Sequence, residues 1–176
     1  MSNHTVPADT QLQPHAGPFT RTPELPAGAT PWFATIVPGL ETSSQAVNHV
    51  SNVEFVRWLD QLGQQHLGAL GWTTEELLRA GHMWFVGRHE IDYRAEAHAG
   101  KVLYAATWVR SIRRVKSWRD TLIWRDTGDA LVTVCTASTL WVHVDLETRR
   151  PVSPPDDMST ALSPIGTEDA PWRVRT

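Results

Sequence analysis

Residues 49–70 read HVSNVEFVRWLDQLGQQHLGAL, and the spacing within them decides the fold. Val53, Val56, Leu59, Leu62, His66 and Leu70 recur at steps of three and four, the period of a helix with a buried face. Phe55 and Trp58 widen that stripe, so this helix is expected to be embraced on more than one side. Gly71 stops it. Just beyond, Thr73-Thr74-Glu75-Glu76 has capping-box spacing and opens a second, short helix that Gly81 closes.

The pattern on either side is extended. Trp32 to Val37 is β-prone and leads into a polar loop, Gly39 to Asn48. From His82 onward, His82–Tyr93, Val102–Ile112, Ser117–Arg125 and Ala130–Val144 are rich in Val, Trp, Ile and Thr. They are divided by AHAG, a basic Arg113–Lys116 bend and DTGD. Trp118, Leu122 and Trp124 alternate with Arg119, Thr121 and Arg125, which predicts a strand with one buried face. The last strand is apolar on both sides and is expected to be central or covered on both faces. A long helix against an antiparallel sheet is an α+β domain.

Prolines outline the domain. Six of the twelve fall in residues 1–31, and none lies between Gly39 and Arg150, as a continuous hydrogen-bonded core requires. The reading is a loosely ordered Pro-rich arm over 1–30, a folded domain over 31–157 and a tail over 158–176, with Trp172 the tail residue suited to docking.

Composition excludes several classes. Sixteen basic and nineteen acidic residues leave a net charge of −3, against the basic balance of a nucleic-acid binder. One cysteine, Cys135, forms no internal disulfide and suits a reducing compartment. No segment reaches the about 20 apolar residues of a bilayer span. MSNHTVPADTQ lacks the basic start and apolar run of a signal peptide. The expectation is a soluble, cytoplasmic protein with neither nucleic acid nor membrane as partner.

The stretch Asn48-His49-Val50-Ser51-Asn52-Val53-Glu54-Phe55-Val56-Arg57-Trp58-Leu59-Asp60 resembles the G-H-V-N-N-V-x-Y-x-R-W-L-E signature of hotdog-fold acyl-CoA thioesterases, the 4-hydroxybenzoyl-CoA thioesterase-like family. Phe85 to Tyr93 looks like that family's second strand, Thr107 to Ile112 like its third, and Trp141 to Asp145 with Thr148 and Arg150-Pro151 like its last strand and exit. The resemblance spans residues 32–157. It implies a central helix wrapped by a curved antiparallel sheet, a homodimer or homotetramer with active sites at the dimer interface, and an acyl-CoA or acyl-carrier-protein substrate. No cofactor is implied beyond the CoA or phosphopantetheine of the substrate.

Thioester hydrolysis explains such a signature at a helix start. Attack on the carbonyl builds an oxyanion, which free N–H groups and the positive dipole end stabilise; here these are the first amides around Val50 and Asn52. A carboxylate nearby activates water or attacks directly. The family carries an Asp four residues before the signature His, where this chain has Gln45, which does neither. Two readings stay open: Glu41 moves in as the carboxylate across a two-residue insertion, or no acid takes part and Gln45, Asn48 and His49 hold the water. Glu41-Thr42-Ser43 is also similar, over a short stretch, to the enediyne polyketide thioesterases, which lack the usual acid.

Blander readings stand beside these. Asn48 caps the helix, His49 bonds a loop carbonyl, Asn52 pins the loop, and Glu54, Arg57 and Asp60 form a solvated charge row. Cys135 is a small core residue. Glu90 with Asp92, and His143 with Asp145, share strand faces but lack further ligands, so no metal site is expected. Arg113, Arg114 and Lys116, within a run of six basic residues and one acid from Arg110 to Arg125, match the phosphates of coenzyme A, or are simply solvated. Two alternatives remain: a hotdog protein that binds acyl thioesters without catalysis, having lost its acid at Gln45, and a hotdog dehydratase or hydratase.

Overall fold

The computed structural model describes residues 9–44 and 49–172. In chain order these form β1 (Gln11–His15), β2 (Trp32–Val37), a 3-10 turn (Leu40–Thr42), β3 (Ser43–Ser44), β4 (His49–Val50), α1 (Asn52–Ala69), α2 (Thr74–Arg79), β5 (His82–Tyr93), β6 (Leu103–Arg113), β7 (Lys116–Asp126), β8 (Leu131–Asp145) and α3 (Asp156–Ala161). Six strands make one antiparallel sheet in the order β1-β2-β6-β7-β8-β5. β8 lies inside it, as its two apolar faces predict. Register shifts in β5–β8, β6–β7 and β7–β8 mark bulges, which bend strands and increase their twist. Among the described residues, no helix is long and apolar enough to cross a membrane.

The amphipathic stripe of α1 seats it on the sheet. Phe55, Trp58, Leu59 and Leu62 pack with Ala34, Ile36, Leu103, Ala105, Ile123, Val134 and Cys135; Trp58 and Leu62 are fully sealed. At the other end of α1, Leu67 joins Leu77, Trp84, Val109, Met158 and Leu162. The capping box of α2 forms between Thr73 and Glu76 as its spacing predicts.

Three expectations are corrected. The long helix begins at Asn52 rather than at residue 49, because earlier amides are spent sideways. Val50 N–H donates to Ala97 O and Ser51 N–H to Thr42 O, both at 2.8 Å, while His49-Val50 pairs with Ser43-Ser44. Ser51 therefore caps the helix, its Oγ accepting from Val53 N–H; Asn48 lies outside the described residues.

The second correction concerns the two ends. Within the arm expected over 1–30, β1 pairs with β2, and Pro14 is tolerated because it stands on an edge strand. Phe19, Leu25 and Ala29 pack with Phe33, Ala106, Trp108, Leu122 and Trp124 on the sheet face opposite α1. Ile165 and Trp172 reach the same face, and Met158 and Leu162 are buried beside α1, so the folded unit extends beyond 31–157 on both sides.

The third is β7, where Arg119 and Thr121 are as buried as Leu122 and Trp124. One row faces α1 and the other faces the chain ends, so alternation separates two interiors. The outer one holds a buried ion pair, Arg110 Nε to Asp120 Oδ2 at 3.5 Å, with Ser138 Oγ donating to Asp120 Oδ1 at 2.8 Å. Burial pushes the Asp120 carboxyl up to about 6.

Candidate active site

The start of α1 opens onto a cleft of about 270 Å3 lined by His49, Val50, Asn52, Phe55, Tyr93, Arg94, Glu96 and Ala97. The five amides from Val50 to Glu54 have different fates. Val50 and Ser51 are spent on Ala97 and Thr42, Val53 and Glu54 turn to Ser51, and Asn52 N–H has no partner among the described residues. Of the two amides expected to meet an oxyanion, that of Val50 is already taken by Ala97, and that of Asn52 is uncommitted among the described residues.

Tyr93 forms the opposite wall. Its hydroxyl donates to Asn52 O at 3.3 Å, its ring meets Phe55 edge-on at 5.3 Å, and burial pushes its phenol up. Arg94 Nε donates to Thr136 Oγ1, and its guanidinium pairs with Asp92 at 3.4 Å. Glu96 lies 3.7 Å from His98. The sequence reading missed Tyr93, Arg94 and Glu96 as site residues, treating the stretch after β5 as strand end and turn. The signal was a tyrosine, an arginine and a carboxylate within four residues.

The other predicted catalytic residues divide. Gln45 and Asn48 lie outside the described residues. Glu41 stands exposed on the 3-10 turn, its N–H bonded to Asp9 Oδ2 at 3.0 Å. The loop folds back through the β3–β4 pairing and the Thr42–Ser51 bond, which brings residue 41 to the helix start. Glu54 is not solvated as expected: it is 6% exposed, bonded to Arg57 at 3.1 Å, with Oε2 unpartnered. Burial holds its carboxyl above the usual range against the pull of Arg57. Cys135 is fully buried, its thiol pushed up to about 12 by burial, as a core residue should be.

Arg113 and Lys116 flank the two-residue turn between β6 and β7, where Arg114 adopts a φ of 54°. All three are exposed, and Arg113 pairs with Glu168. Ile112 packs with Leu67 and Leu70, whereas Val50 and Phe55 pack with Ala97 and Leu103. The bend therefore lies at the far end of α1, which at 18 residues is about 27 Å long. Within one chain it does not adjoin the helix start, which corrects the expectation of a bend beside the thioester.

Near that far end a second cavity, of about 190 Å3, lies among α1, α2, β5, β7 and β8. Arg119 reaches it from β7, packed beneath Gly63 and donating from Nη1 to His66 Nδ1 at 2.9 Å. His66 stacks on Trp32 with ring centres 5.9 Å apart. Burial and the Arg119 charge drive the His66 pKa down to about 3, so its Nδ1 is a neutral acceptor.

A hotdog-type α+β domain, with one long helix across an antiparallel sheet, is the class that this fold and site define. Residues 42–162 match the model of the thioesterase-like superfamily. A search of curated proteins gives no match. Among solved structures, the chain is similar to a putative oleoyl thioesterase from Lactobacillus plantarum (TM-score 0.73, 18% identity, 85% of this chain and 57% of that one). It is also similar to a 1,4-dihydroxy-2-naphthoyl-CoA thioesterase from Synechocystis (0.68, 17%, 75% and 95%) and to a 4-hydroxybenzoyl-CoA thioesterase variant complexed with 4-hydroxybenzoyl-CoA (0.70, 17%, 76% and 99%). The chain thus spans little more than half the length of the first, and at these identities the likeness shows the fold. The family match covers most of the chain: it belongs to the thioesterase-like superfamily.

A depressed histidine pKa contributes stability that is present above about pH 6.5 and lost as the pH falls toward 3, because only the unfolded chain accepts the proton. Wild type is therefore expected to lose stability relative to His66→Gln between pH 7 and pH 4, read from parallel urea unfolding curves. A difference that does not change with pH would mean that His66 titrates normally in the fold.

Proposed function

We propose that this chain is a cytoplasmic thioesterase that hydrolyses an acyl-CoA or acyl-carrier-protein thioester, with pantetheine as the handle common to both and no further cofactor. The observation that carries the reading is the start of α1, where an uncommitted Asn52 amide and the positive helix end face a cleft shared with His49. The thioester oxygen is placed there, so that negative charge developing during attack is met by a fixed donor and dipole. His49 orients the water, and Gln45 and Asn48 belong to the same polar group in sequence. Glu41 is the second candidate, favoured by the fold-back of its loop.

The test is release of free thiol from a small acyl-CoA panel. With the acid-independent mechanism, Glu41→Gln leaves kcat unchanged while His49→Ala or Asn48→Ala abolishes turnover. If Glu41 is the base, Glu41→Gln lowers kcat by at least about a hundredfold, the lower bound of general-base assistance. Gln45→Asp then raises turnover by restoring a carboxylate. Tight binding without turnover supports the non-catalytic reading, and loss of water from a 3-hydroxyacyl substrate supports the dehydratase.

The enzyme is proposed to be a side-by-side dimer through β5. That strand is a 12-residue sheet edge with Phe85, Val86 and Tyr93 exposed, the kind of edge that pairs with another chain. A two-fold axis normal to the sheet at this edge makes the two central helices antiparallel, so each helix start points toward the partner's bend. A dimer mass is expected in light scattering at micromolar concentration; a monomer sinks the shared site.

The basic bend would then serve CoA phosphates across the dimer. Replacing Arg113 and Lys116 with Ala should raise KM for CoA substrates steeply and leave kcat unchanged, as loss of uniform binding does. Added salt should weaken binding in parallel. An unchanged KM points to a carrier protein instead.

A further inference from the structure

The 190 Å3 cavity is built unlike the cleft at the helix start. Trp72, Trp84 and Trp141 wall it together with Leu67, Leu77 and Met83, and Arg119 is the one cation among its lining residues. Arg119 is 6% exposed, and no described carboxylate lies within ion-pair distance of it. Its neighbour Asp120 faces the other side of the sheet, paired with Arg110. Its partner on this side is the neutral ring of His66, with Thr107 Oγ1 further off at 3.4 Å. The Asp120 carboxylate attracts Arg119 from across the strand but is shared with Arg110, so no carboxylate contacts the guanidinium on the cavity side, and a guanidinium fork matches carboxylate geometry. The indole N–H groups of Trp84 and Trp141 also lack acceptors.

Shape narrows the ligand further. Drug-sized ligands need at least about 300 Å3, whereas a cavity of about 150 Å3 holds benzene. The exposed Gln64 and Thr74 mark the open side, and the buried Arg119, Ser117 and Leu162 the closed one. Asp60, half-buried on the same wall and bonded by Gln64 Nε2 at 2.7 Å, disfavours an anion on its own side. That charge pattern sends an anionic end inward.

We infer that this cavity binds a single aromatic ring bearing an anionic oxygen, with the ring between the tryptophans and the oxygen on the Arg119 guanidinium. The ligand is a free aryl acid or the acyl group of the substrate; the second assignment rests on the hydrolase reading, while the ligand chemistry rests on the cavity alone.

Benzoate and benzyl alcohol are the probes, titrated into the full chain at fixed ionic strength and followed by tryptophan fluorescence. Benzoate is expected to bind at least about tenfold more tightly than its neutral counterpart, the margin of a charge-assisted bond. Arg119→Gln should erase that margin with near-UV circular dichroism unchanged. Gly63→Ala should weaken both probes, because a Cβ at Gly63 would stand 3.2 Å from the Trp141 ring. Should Arg119→Gln fail to fold, Gly63→Ala and Arg119→Lys carry the comparison.

Equal affinity for the two probes, or benzoate binding that neither variant alters, overturns the inference. Benzoate that raises KM for an acyl-CoA at constant kcat places the acyl group in the cavity, and non-competitive binding marks a free acid. Benzoate binding with no thioester cleaved defeats the hydrolase reading alone. Turnover of hexanoyl-CoA without benzoate binding defeats the cavity ligand alone.

Discussion

The burial of α1 across the sheet is the constraint on which the rest depends. Trp58 and Leu62 are sealed against the strands, and the backbone just ahead of the helix is tied at Thr42 and Ala97. A helix held along its length and at its entry cannot rotate or slide without exposing an indole or breaking two backbone hydrogen bonds. The positions of the cleft and of the Arg119 cavity follow from that single placement, since one lies near each end of α1.

Most of the scaffold was legible because period and burial agreed. The bounds of β2 and β5 match the β-prone runs in their sequences, and Thr73 with Glu76 forms the capping box that its spacing announces. The start of α1 was misjudged because His49 and Val50 fit the helical period, while the structure spends the Val50 amide across a loop. The chain ends were misjudged for a different reason. Prolines signalled loose chain, but Phe19 and Leu25, spaced between them, and Trp172, just after the last, cover a sheet face that the strand pattern alone would leave bare.

The site was legible in part. The signature led to His49 and Asn52, which the structure places together at one cleft, and the lateral bonding of Val50 was invisible in sequence. Tyr93, Arg94 and Glu96 enter only because β5 ends opposite the helix start, a fact of topology. Glu54 and Arg119 show the limit of charge as a guide: each reads as a solvated residue on an alternating or helical surface. Each is buried because that surface has a second cover. Net charge and spacing carry no information about such covers.

One described residue shapes what can be done with the molecule. Cys135, the chain's sole sulfhydryl, is closed off beneath α1 and held in its un-ionised form at any working pH. Thiol-reading reagents meet no competing cysteine signal from the folded protein, and mild oxidants have no accessible cysteine on it. The same silence makes the native chain a ready background for site-directed spin or dye labels, since a cysteine introduced along β5 would be the one position to react.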